Sequence, residues 1–417
     1  MVVTEGWTRR LPRPRIAASV RALLKAGWLD DDAPAVLVHD MHWLDGRLDA
    51  LGQAFPADAL HAIAIKANPE PAILRHVVAA GFGLEAASWE EVELARAAGC
   101  DPAAIVFDSP AKTRRELADA LALGVVLNVD NDEELARLDA LRPPPGAAIG
   151  LRINPAVGAG SIAMTSVADV RSRFGLPYLG DAEALAQRFV RYPWLDGLHA
   201  HVGSQGVKLS QLVEAARRLV DVATAIEAAT GRALARFDIG GGLPADYGHG
   251  ETPPTLDAYV SALRAACPRL FAPGVRLVTE LGRAVQAGCG FAVSRVEYVK
   301  SLPGRRLATI HVGADLFVRT AYQPDVWWHE ITVLDPEGTP KPGPSSEWTI
   351  VGPLCFAGDV IAEARSLPAI EAGDLLVIHD AGGYTMGMWS SHCSRRRPPV
   401  VGVGEDPATL TLLAPRR

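Results

Sequence analysis

From about residue 36 to 290 the chain repeats one unit: a strand-length apolar run, then an amphipathic stretch rich in Ala and Leu that ends at Gly or Pro. HAIAIKA (61–67) precedes EPAILRHVVAAG, FGLEAAS (82–88) precedes WEEVELARAAG, and AAIVFDSP (103–110) precedes KTRRELADALALG. VVLNVD, AAIGLRINP, DGLHAHVGSQ, ARFDIGGG and RLVTELGR continue the series. Apolar runs that short are strands, and the stretches between them carry the 3.6-residue period of helices. About eight strands alternating with helices predict an α/β chain with a closed (β/α)8 barrel; a doubly wound open sheet is the competitor. After about 290 the pattern changes to strands separated by Gly/Pro turns, a β-rich second domain. The expected division is a barrel over 36–290, with 1–35 and 291–417 forming the β-rich domain. The Gly/Ala/Ser-rich stretch 157–173 reads as a mobile loop.

Composition narrows the function. The 417 residues carry a net charge of −7, with no apolar run of the roughly 20 residues that span a bilayer. Neither nucleic acid nor a membrane is an expected partner. The N-terminus lacks the apolar core of a secretory leader. Five scattered cysteines argue against a disulfide framework or a CxxC zinc site; a cytoplasmic setting and no metal are expected.

In a barrel, chemistry sits at the C-terminal ends of the strands. Lys66, Glu85, Arg152, His199, His201, Asp238, the Gly240–Gly242 triplet, Glu280 and Arg283 all fall there. Singly, each is ordinary: a solvated Lys, a turn glycine, a structural His. Together they match one chemistry. A Lys amine can form a Schiff base, a Gly-rich turn can cradle a phosphate, a carboxylate can pair with a ring nitrogen, and an imidazole can stack on an aromatic ring. Pyridoxal 5′-phosphate requires all four.

The ordered segments AIKAN, GLEAAS, FDSPAK, NVDNDEEL, LRINP, SRFG, LHAHVGSQ, DIGGG, ELGR, GPLCFAGD and HDAGGY span about 36 to 403. In these the chain resembles the alanine-racemase-like (fold-type III) pyridoxal-phosphate decarboxylases that act on diaminopimelate, ornithine and arginine. The resemblance implies the following roles. Lys66 is the cofactor-linking lysine. His201 stacks on the cofactor. Ser204, Gly241 and Gly242, with Tyr384, hold the phosphate. Glu280 faces the pyridine nitrogen, followed by Gly282 and by Arg283, which reaches phosphate or substrate. Arg152 and Glu85 complete the cofactor site. Cys355, with Asp359 four residues later, is donated across a homodimer interface, so that the two active sites are shared, and it reprotonates the α-carbon.

The departures concern the substrate. Leu281 stands where the family usually has Pro. Phe356 follows the cysteine where the family has the Glu or Asp that recognises a distal ammonium. Arg319 aligns with the distal-carboxylate arginine, Tyr322 sits one residue closer than usual, and Trp389, His392 and Cys393 replace a polar run. A phenyl ring cannot accept a charge-assisted hydrogen bond. The expected activity is therefore decarboxylation of a nonstandard amino acid without a distal amine, free or carrier-tethered, in specialised metabolism. Trp327, Trp328, Trp389 and Phe356 form either an aromatic pocket or interface core. The alternatives are a racemase on the same scaffold and a non-catalytic regulatory homologue.

Overall fold

The computed structural model describes residues 7, 10–343 and 346–416. The chain separates into two compact units, one of Leu48–Pro244 and Pro253–Ala284, the other of residues 10–47, 245–252 and 285–416. The first strand, β1 (Ala35–Asp40), belongs to the second unit.

The first unit is a closed barrel. Its staves are β2 (Leu60–Ala64), β3 (Gly83–Ala86), β4 (Ile105–Phe107), β5 (Val126–Val129), β6 (Ile149–Asn154), β8 (Gly197–His199), β9 (Arg236–Asp238) and β10 (Arg276–Thr279); β7 (Leu176–Pro177) is a short addition beside β6. Every pairing is parallel, and β10 returns to β2 through Val278↔Leu60 and Thr279↔His61. Closure removes both sheet edges, so each stave has a hydrogen-bonded neighbour on either side. Helices connect the staves, and their starts are written in the sequence. Thr113 and Glu116 form a reciprocal capping box at Arg114–Leu123, and Asn131, Asp181 and Thr255 each accept a backbone N–H at the next helix starts. Leu60, Ala62, Val106, Val126 and Val278 pack into one buried apolar cluster.

Nearer the C-terminal ends the interior turns polar. Asn128 on β5 donates to Asp238 on β9 at 3.0 Å. Gly150 leaves room for that bond, since a Cβ there would lie 2.6 Å from the Asn128 Oδ1.

In the second unit β1 runs antiparallel to β11 (Gly290–Leu302) and parallel to β17 (Val400–Val403). The sheet continues through β12 (Arg305–Ile310), β14 (Ser346–Val351) and β15 (Val360–Leu367) on one side and β18 (Leu410–Ala414) on the other. β16 (Leu375–Ile378) joins β11 and also pairs with β13 (Ile331–Leu334).

The expected start of the barrel at 36 is therefore corrected. AVLVHD is buried on both faces: Ala35 and Leu37 enter one core cluster, Val36 and Val38 another with Phe291, Val293 and Val377. A two-face-buried strand reads the same in either sheet. The stretch 157–173, expected as a mobile loop, is hydrogen-bonded to the turn after β8: Val167 donates to the Val202 carbonyl at 3.0 Å, Ser204 to Thr165 at 3.2 Å and Ser161 to Gly206 at 2.9 Å. Gln211 adds bonds to the carbonyls of Val157, Gly158 and Ala159.

His61 packs against Phe55 and Phe82 and bonds Thr279 Oγ1 at 2.8 Å. Burial drives its ring down to about 4 from an ordinary 6.5. The unfolded chain binds the extra proton, so this contribution is complete above pH 6.5 and fades as pH falls from 6.5 towards 4. The difference corresponds to about 3 kcal/mol. Melting temperatures should drop between pH 7 and pH 5, and His61→Gln should flatten that drop.

Candidate active site

Lys66 lies in the helical turn Ile65–Ala67 that follows β2 directly, so its side chain is presented at the stave's C-terminal end. Its Nζ donates to both oxygens of Glu85 on β3, at 2.6 and 2.5 Å. Glu85 is fully buried, and burial raises its carboxyl well above the usual range; Lys66 opposes the rise, while Asp108 and Glu280 add to it.

Strand register places the next groups. Arg152 on β6, His199 on β8 and Asp238 on β9 are paired side by side, Arg152↔His199 and His199↔Asp238. Asp108, the first residue after β4, lies 3.6 Å from Arg152 and 3.8 Å from His199 Nε2. His199 Nε2 lies 3.5 Å from Glu280, the first residue after β10. These contacts are ionic and too long for good hydrogen bonds. Neither ring nitrogen of His199 and neither oxygen of Glu280 has a hydrogen-bond partner, although all four atoms are buried. Burial works against the charge on Glu280, yet His199 beside it holds the carboxyl well below its ordinary range. His199 responds in kind: burial lowers it, and Glu280 and Asp238 overcome that and raise it. Asp238 is pushed up to about 7, first by burial and then by Glu280.

His201 differs from its neighbour. Its Nδ1 accepts the Gly241 N–H at 3.1 Å, so a neutral ring carries its proton on Nε2. Burial lowers its pKa accordingly. The glycine turn is tight. Gly240 and Gly242 have φ of +63° and +110°, and a Cβ on Gly241 would lie 2.4 Å from the Glu280 carbonyl oxygen. Arg283 is buried after Gly282, and its Nε donates to Ser204 at 2.9 Å.

The structure thus brings Lys66, Glu85, Arg152, His201, Ser204, Gly241, Gly242, Glu280, Gly282 and Arg283 together in the barrel unit. Asp108, His199 and Asp238 belong with them. His199 and Asp238 stood out in the sequence only as strand-end residues. Asp108 stood within FDSPAK, and an acid placed straight after an apolar strand was its signal. Lys112 of the same segment is a buried tether, donating to Ser109 O, Asn128 O and Glu134 at 2.6 to 2.8 Å. Asp108, His199 and Glu280 offer ligand atoms within 4.8 Å of one another. Arg152 already supplies a fixed cation beside Asp108.

The remaining candidates lie in the second unit. Arg319 sits over the faces of Trp327 and Tyr384, 4.7 and 4.4 Å from their centroids, and its Nε donates to Met388 Sδ at 3.0 Å. Tyr384 occupies the left-handed region at φ 59°, a strained conformation for a residue with a bulky side chain. Cys355 and Phe356 are exposed in the loop between β14 and β15. The Phe356 ring stacks on Tyr322, with centroids 5.6 Å apart, and meets His392 edge-on. The four aromatic residues, expected to form either a pocket or interface core, each have different partners. Trp327 packs on Tyr247, Trp328 stacks on His249, and Trp389 packs against the sheet core.

Two observations fit this barrel site to pyridoxal phosphate: Glu280, a buried carboxylate with no hydrogen-bond donor of its own, and a glycine turn that any Cβ would obstruct. The fold and site define a pyridoxal-phosphate-dependent amino-acid decarboxylase. The model of the pyridoxal-dependent decarboxylase family's pyridoxal-binding domain matches residues 44–287, and the chain belongs to that family. It is 33% identical over 349 residues to the diaminopimelate decarboxylase of Pseudomonas aeruginosa, covering 82% of this chain and 80% of that one. It is 31% identical to the Archaeoglobus fulgidus diaminopimelate decarboxylase over 376 residues, 87% and 86% of the two chains. The Helicobacter pylori diaminopimelate decarboxylase complexed with L-lysine superposes with a TM-score of 0.81 at 26% identity, over 92% and 94% of the chains. Lysine/ornithine decarboxylase from Vibrio vulnificus, complexed with putrescine, shares the fold with a TM-score of 0.77 at 24% identity, over 92% and 98% of the chains. This membership leaves the racemase and regulatory readings without support. Among the described residues no helix is long and apolar enough to cross a membrane.

Replacing Gly241 with Ala forces its new methyl onto the Glu280 backbone. Such overpacking costs roughly 1 to 3 kcal/mol. Gly241→Ala should melt earlier than the parent and lose its pyridoxal phosphate on gel filtration, read by absorbance.

Proposed function

We propose that the enzyme decarboxylates a nonstandard amino acid whose side chain carries no distal ammonium, free or held on a carrier. The observation that carries this reading is the surroundings of Phe356, where a family member for a diamine substrate needs a carboxylate. The rings that meet Phe356 there are those of Tyr322 and His392. The nearest acid in the same loop, Asp359, is buried and already committed: one oxygen accepts the Ala314 N–H at 2.5 Å, the other the Leu354 N–H at 2.6 Å. Asp315 is similarly engaged, by the Gly313 N–H and by Arg395 at 3.6 Å. An ammonium brought to Phe356 would be desolvated without an acceptor, whereas Arg319 favours a carboxylate or an aromatic side chain.

The residues divide the work. Lys66 carries the cofactor. Glu85, a carboxyl disposed to take a proton, relieves the Lys66 Nζ of one so that the amine can act as a nucleophile. Glu280 would face the ring nitrogen and favour its protonated form through its charge. His201, its proton on Nε2, would stack on the ring. The glycine turn, Ser204 and Arg283 would hold the phosphate, the role the resemblance also gives to Tyr384, and Arg152 would steady the ring oxygen. When bound, pyridoxal phosphate supplies the sink for the electron pair left as the carboxylate departs. Cys355 then delivers a proton to the substrate α-carbon, and it does so from the second copy of a homodimer with shared sites. Its exposure at the tip of a loop anchored by Asp359 supports that assignment. Free thiols at all five cysteines are compatible with a cytoplasmic enzyme.

A panel of amino acids assayed for CO2 release tests the specificity. Substrates without a distal ammonium should exceed meso-diaminopimelate, lysine and ornithine in kcat/KM, and Phe356→Glu should shift preference towards the diamines by roughly ten- to hundredfold. Highest turnover on meso-diaminopimelate by the parent enzyme would end the specificity reading. Lys66→Ala should abolish CO2 release together with the visible absorbance of lysine-bound cofactor.

A further inference from the structure

We propose that His199 is a positioning residue. Buried between Asp108 and Glu280, it acts as an imidazolium that keeps Glu280 ionised and aimed, so that the free carboxylate oxygens can receive the N–H of the cofactor ring. The inference rests on the reading of Glu280 given above and adds the group that makes that reading possible.

The geometry leaves one candidate for this task. Glu280 is 2% exposed and feels the charge of three other buried acids, Asp108, Asp238 and Glu85. A carboxylate so placed takes up a proton unless a cation stands against it. Lys66 is occupied by both oxygens of Glu85, and Arg152 faces Asp108 and Asp130 at 3.6 and 3.9 Å. His201 approaches Glu280 at 3.6 Å, but through the Nδ1 that already accepts the Gly241 N–H, so that nitrogen has no proton to offer the carboxylate. Among the described residues His199 remains. Its Nε2 lies between Glu280 Oε2 at 3.5 Å and Asp108 Oδ2 at 3.8 Å, and the ring is fully enclosed. Register fixes it there, since His199 is hydrogen-bonded in the barrel wall between Arg152 and Asp238. At these separations the histidine attracts the carboxylate without using up the acceptor lone pairs of Glu280. A residue in direct hydrogen bond with both oxygens would compete with the cofactor for them.

The experiment compares the parent, His199→Gln, Glu280→Gln and the double variant. Apoprotein of each is titrated with pyridoxal phosphate by fluorescence quenching, and circular dichroism checks the fold. His199→Gln should bind the cofactor about ten- to hundredfold more weakly, the range typical when an outer partner of a ligating group is removed. Adding it to Glu280→Gln should cost little more, because both act through one carboxylate. A parent-like dissociation constant in His199→Gln overturns the proposal, as do losses that simply add. Parent-like binding by Glu280→Gln instead removes the role of Glu280, and His199 falls with it. Should the His199 variants not fold, neutron diffraction of parent crystals at pH 8 decides: a proton on both ring nitrogens is expected, and a neutral ring refutes the imidazolium.

Discussion

Buried charge is the constraint around which this barrel is arranged. Glu85, Asp108, Asp238 and Glu280 share the polar end of the interior with Lys66 and with Arg152, a permanent cation. Water cannot stabilise them there, so each acid must be matched by a cation, a backbone donor or a proton. Lys66 answers Glu85, Arg152 answers Asp108, and the Gly240 N–H with the Asn128 amide answers Asp238. Glu280 has His199 Nε2 at 3.5 Å and His201 Nδ1 at 3.6 Å, and neither of its oxygens accepts a hydrogen bond. A site with one buried acceptor deliberately unsatisfied is disposed to bind a cationic ring nitrogen.

The scaffold maintains that imbalance by closure. With eight staves hydrogen-bonded in a ring, the first residues beyond each strand are held by two neighbours, and small displacements are resisted from both sides. Glycine supplies the close approaches: Gly150 beneath the Asn128–Asp238 bond and Gly241 against the Glu280 backbone. The segment 157–171, laid along the turn after β8, holds Ser204 by the backbone, and Ser204 in turn receives Arg283. The groups suited to a phosphate are thus braced before any ligand arrives, which lowers the ordering cost of binding.

The specificity proposed above rests on a different unit and on a different kind of interaction. In the β-rich unit the loop that bears Cys355 is fixed by Asp359 through two backbone N–H groups, and this use of the acid is structural. What meets solvent beside the cysteine is aromatic, with Phe356 stacked on Tyr322. The polar end of the barrel carries the groups suited to the cofactor, and the proposed discrimination between a diamine and other amino acids rests on the composition of this loop.

The barrel, the family and most residues of the candidate site were legible in the residue order, because strand–helix alternation and the strand-end residues Lys66, Glu85, His201 and Glu280 are local patterns. Less legible was the position of β1. An apolar strand buried on both faces has no sequence mark for which sheet it enters, and its pairing with β11 and β17 is a long-range event. Nor could composition show that the Gly-rich stretch 157–171 is pinned, since its partners lie on the turn after β8 and on Gln211. The sequence by itself determined which chemical groups stand at the strand ends and that Phe356 follows Cys355. Only the tertiary structure decided how those groups share charge. Whether a buried carboxylate keeps or loses its proton depends on ångström distances to residues from other strands, and those distances exist only once the barrel has closed.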